Sequence, residues 1–135
     1  MKKFFVSIII LLIFSSASFS AQKIDLDLTK LNTMMQYSTL FNIMTKPDDY
    51  TGKIIKINGL FDSAKDPDTG IDYFAVIVMD ASACCASGLD FELKNNYQYP
   101  KDYPEIGAKI TVIGKFERYT EGEDVYYHLA EADLL

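Results

Sequence analysis

The chain has 135 residues, with 13 basic residues against 19 acidic and a net charge of −6. That sign repels phosphate backbones and anionic lipid, so it disfavours generic nucleic-acid binding. The remaining acidity is what a soluble surface needs, and the length suits one domain.

Residues 1–20 read as a secretory signal peptide. Lys2 and Lys3 supply the positive start, Phe4 to Phe14 is apolar apart from Ser7, and Ser15 to Ser20 is the small-residue end. The apolar run is shorter than the ~20 residues of a membrane span. Cleavage after Ser20 leaves residues 21–135, with 11 basic against 19 acidic residues, a net charge of −8. No cysteine lies near the cut, which argues against a lipid anchor. The expectation is an exported protein, periplasmic or secreted, with no membrane span in the mature chain.

Residues 21–46 form an N-terminal segment and helix. From Thr29 to Thr45 the apolar residues Leu31, Met34, Met35, Phe41 and Met44 fall at helical spacing, with Ser38 on the same stripe. Asp27 or Thr29 can cap the start, and Lys46-Pro47 ends it, because the residue before proline avoids the helical region. The methionine stripe reads as core packing. After Pro47 the pattern turns to strands, predicted at 53–62, 72–80, 89–94, 109–119 and 125–132. Residues 95–107 carry two prolines and no helical period, and read as a loop.

Two stretches echo each other. Gly52, Gly59 and Phe61 have the spacing of Gly107, Gly114 and Phe116. The inward set is then Ile55, Ile57, Gly59 and Phe61 in one strand, and Ile110, Val112, Gly114 and Phe116 in the other. Glycine inside a strand marks a bulge or sharp coil, which a small barrel needs to close. The predicted fold is mainly β: a five-stranded OB-like barrel over 47–135, with the N-terminal α-helix closing one mouth.

The chain resembles a group of small exported bacterial proteins with an OB-fold-like (tRNA-anticodon-binding-like) barrel. The residues that carry the likeness are Pro47, Tyr50, Gly52 and Lys53, then Ile57 and Gly59, then Asp80-Ala81 and Cys84-Cys85-Ala86-x-Gly88-Leu89-x-Phe91. Tyr99-Pro100, Gly107, Gly114 and Phe116 complete them. The cysteine-pair motif is the most specific part. The resemblance implies fold and export, and no reaction.

The chemistry concentrates at Cys84-Cys85, the only cysteines. Two thiolates in one loop suit zinc or copper(I), with Asp90, Glu92 and His128 as candidate helpers. An exported pair can also be redox-sensitive: neighbouring Cα atoms lie ~3.8 Å apart, closer than a disulfide prefers, so the bond would be strained and easily reduced. Plain packing of two small residues is the third reading. A Cys85–His128 hydrolase dyad would need the two to meet, which nothing in the sequence indicates. Asp66 to Asp72 places acids at alternate positions like half a calcium loop, but its glycine stands at the fifth place, and a hairpin turn explains it. Tyr97, Tyr99 and Tyr103 in one loop are a candidate binding surface, or a loop packed by its own rings. The expectation is a binding module for a small ligand or protein rather than an enzyme, the alternative being a structural interaction domain that makes contact through the tyrosine-rich loop; no hydrolase triad or phosphate loop is present.

Overall fold

The computed structural model describes residues 22–135. The segment read as a signal peptide lies outside the described residues. Among those described, no helix is long and apolar enough to cross a membrane.

The architecture is mainly β, with one α-helix and a six-stranded mixed sheet. A short strand, β1 (Leu26–Asp27), precedes a 3-10 turn (Leu28–Lys30) and the helix α1 (Thr33–Thr45), and a second 3-10 turn (Pro47–Asp49) follows the helix. Then follow β2 (Ile54–Lys65), β3 (Asp72–Met79), β4 (Ala86–Leu93), β5 (Lys109–Glu121) and β6 (Asp124–Leu134). The sheet order is β1-β2-β3-β4-β6-β5, and β2 also pairs with β5, so five strands close a ring. The pairings are antiparallel except β1 with β2 and β4 with β6.

The predicted inward set faces the core. Ile55, Ile57, Val112 and Phe116 have no accessible surface, and Phe61 and Ile110 are buried beside them. The glycines between them sit where strands approach too closely for a side chain. A Cβ on Gly59 would fall on the Ile77 carbonyl oxygen, and one on Gly114 would lie 3.0 Å from both the Ala130 carbonyl oxygen and Leu129 Cβ. The β5–β6 register shifts at that second glycine, between Ile113 and Lys115.

The sequence echo has a geometric counterpart. Ile57 pairs with Val112, and the β2–β5 ladder runs outward from that pair in both directions. At one end Gly52 N donates to Phe116 O (2.8 Å) and Phe116 N to Lys53 O (2.9 Å); at the other, Gly107 N donates to Phe61 O and Phe61 N to Ala108 O, both 2.8 Å. The seam is related to itself by a local two-fold axis between Ile57 and Val112.

The helix departs from its predicted start and phase. Asp27 caps the 3-10 turn through Thr29 N, whereas Asn32 caps α1, accepting from Met35 N at 2.9 Å. The buried face is Gln36, Leu40 and Ile43, while Met34, Met35, Phe41 and Met44 are exposed. The cause is Gln36, whose Nε2 donates to Asn58 O (2.8 Å) and Asn58 Oδ1 (2.9 Å). A satisfied polar side chain occupies the inner stripe, so apolar spacing alone selected the wrong face. The helix packs on β3 and β4, and Leu40 and Ile43 join the core of the ring.

Candidate functional site

Two separate features carry chemistry. The first is the hairpin between β3 and β4. Asp80 N donates to Cys85 O (2.9 Å) and closes the turn, while Ala83 adopts a positive φ of 55° within it. Asp80 organises the loop: Oδ1 accepts from Cys84 N (2.9 Å) and Cys85 N (3.3 Å), and Oδ2 accepts from Ser82 Oγ (2.9 Å). Both thiols are free and exposed, with their sulfurs 3.4 Å apart. Cys84 Sγ lies 3.5 Å from Asp80 Oδ2. One donor atom from each of Asp80, Cys84 and Cys85 falls within 4.8 Å of the others.

The electrostatics follow from these bonds. The Ser82 hydroxyl, followed by the Cys85 and Cys84 amides, holds the Asp80 carboxyl below its ordinary range. The hydrogen bond with Cys84, and then the Asp80 charge, push the Cys85 thiol up. The hairpin therefore keeps a carboxylate beside two thiols, an acceptor-rich cluster that a cation would neutralise.

The second feature is a cleft of about 780 Å³ on the outer faces of β3, β4, β6 and β5. Alternation places its walls: Leu89, Phe91 and Leu129 point inward, so Asp90, Glu92 and His128 point outward. The parallel pairing of Phe91 with Leu129 sets Asp90 beside His128. Tyr119 packs its ring on His128, with centroids 4.4 Å apart. Tyr73 Oη donates to Glu121, 2.9 Å from each carboxylate oxygen, and both residues line the cleft. Burial pushes the half-buried Asp90 carboxyl up, with His128 pulling the other way. Burial, then the Glu121 and Asp90 charges, push Tyr119 to about 12.

The structure thus brings Asp90, Glu92 and His128 together, but apart from the cysteines. Ala86 to Asp90 is four strand steps, about 13 Å, and neither cysteine lines the cleft. Cys85 and His128 are well beyond hydrogen-bond reach of each other. The tyrosine loop divides in the same way. Tyr103 stacks on Phe74 (4.1 Å between centroids), Tyr99 lies 5.1 Å from the same ring, and Tyr99 Oη bonds Ser63 Oγ at 2.9 Å. Both side chains belong to the core margin, leaving Tyr97 exposed at the cleft rim. The Asp66–Asp72 stretch is a turn, with Asp66 accepting from Asp68 N and Thr69 N, and Lys65 paired to Asp72 at 3.1 Å.

Sequence reading left Tyr73, Glu117 and Glu121 out of any site. Their outward phase was available from alternation, but their meeting with β4 depends on a parallel pairing between strands distant in sequence.

No family model matches the chain, and no curated protein matches it. A crystal structure of a "putative nucleic acid-binding lipoprotein" from Klebsiella pneumoniae subsp. pneumoniae is similar at 21% identity and a TM-score of 0.42, over 80% of this chain and 82% of that one. That likeness is too slight to transfer what the neighbour binds.

Proposed function

We propose that the protein is an exported binding module, an OB-like barrel with α1 across one mouth, that holds a thiophilic metal ion on the Asp80–Cys85 hairpin. The single observation behind this reading is the convergence of Asp80, Cys84 and Cys85 donor atoms within 4.8 Å on an exposed turn. Two thiolates with one carboxylate favour zinc, since copper(I) prefers sulfur alone. Two sulfurs on a tetrahedral zinc, each ~2.3 Å from it, lie about 3.8 Å apart; the 3.4 Å separation is close to that spacing. Three protein donors leave a fourth position for water or a partner's ligand, as suits an ion that is captured and passed on. Asp90, Glu92 and His128 take no part, because they line the other feature.

Elemental analysis of reduced protein tests this. About one equivalent of zinc is expected, lost in the Cys84→Ser/Cys85→Ser variant and weakened in Asp80→Asn. Full retention in the double variant removes the reading. The free, facing thiols favour one second reading, a redox-sensitive pair. Intact mass under nonreducing conditions would then fall by about two units on oxidation, as two thiol protons leave with the electrons taken by the oxidant.

A further inference from the structure

The cleft is independent of the hairpin, and its size is that of a small-molecule site rather than an ion site. Its charge is one-sided. Asp90, Glu92 and Glu121 have no ion-pair partner among the described residues, whereas Lys94, the one lysine in the lining, is bound to Asp133 at 2.6 Å. An anionic ligand would meet net repulsion. An uncharged apolar ligand would strip water from Asp90 and Glu92 and return nothing to them.

The walls between the carboxylates are aromatic. Tyr119 and His128 form a continuous ring surface beside Asp90, and Tyr97 stands at the rim with 44% of its surface exposed. Ring faces attract cations, most strongly where water is excluded. We propose that this cleft binds a small organic cation, an amine or ammonium on an aliphatic body, with Asp90 and Glu92 taking the charge and Tyr119 and Tyr97 taking the hydrocarbon. The hydrogen-bonded Tyr73 and Glu121 add a further acidic group to the lining.

Calorimetric titration with spermidine tests it. Saturable binding is expected, weakened at least tenfold in Asp90→Asn/Glu92→Gln and unchanged in Cys84→Ser/Cys85→Ser. Glu92 is exposed, so Glu92→Gln alone reports on binding without disturbing the fold; a several-fold loss is expected. Equal affinity of the wild type and the Asp90/Glu92 variants overturns the proposal, as does absence of binding. Displacement of spermidine by magnesium at equal charge concentration would reduce the effect to counter-ion attraction and overturn it too. Zinc retention on the hairpin is measured separately, so either proposal can fail alone.

Discussion

The Asp80–Cys85 hairpin and the outer cleft build their chemistry in opposite ways. The hairpin assembles its donors from six consecutive residues, tied by bonds to Asp80. The cleft draws its groups from four strands and the loop after β4, and depends on the ring being closed. The hairpin is exposed and adds nothing to the core; the cleft is the outer side of the core itself. A local site can change without cost to the fold, whereas a distributed site shares its stability.

Damage to the core should separate the two sites most strongly. Phe61 is buried and packs against Phe74, Phe91 and Tyr103. Phe61→Ala should cost ~3–5 kcal/mol in urea unfolding and weaken spermidine binding, while the folded fraction keeps its zinc affinity. Parallel loss of zinc affinity would show that the hairpin is not autonomous. A smaller effect, of opposite sign, is expected at Asp90. Burial raises its folded pKa above the unfolded value, so its charged form opposes folding at neutral pH. Asp90→Asn should therefore raise the melting temperature by ~2–4 °C at pH 7. The wild type gains stability as pH falls through the folded pKa of Asp90, so the difference should close in acid. An unchanged melting temperature would remove the penalty on the charged form, and a lower one would place Asp90 among the stabilising groups. The smallest effect belongs to Cys84→Ser/Cys85→Ser, expected within ~0.5 kcal/mol of wild type without metal. A larger loss would tie the hairpin to the core.

The same division explains what was legible in the sequence. The five ring strands could be read because inward residues alternate and the glycine echo marks the close approaches at Gly59 and Gly114. The cysteine hairpin could be read because its members are adjacent. The helix face could not, because Gln36 replaces an apolar residue on the inner stripe and finds its partner on Asn58, 22 positions away. The β1 strand is two residues long, too short for any period to register. The grouping of Asp90 with His128 and Tyr119 rests on β4 and β6 lying parallel, which no local pattern encodes.

The self-matching seam between β2 and β5 has a mechanical consequence. Peeling that begins at either end meets the same pair of bonds around a buried phenylalanine, Phe116 at one end and Phe61 at the other. By these bonds neither end of the seam is the weaker place for the ring to open.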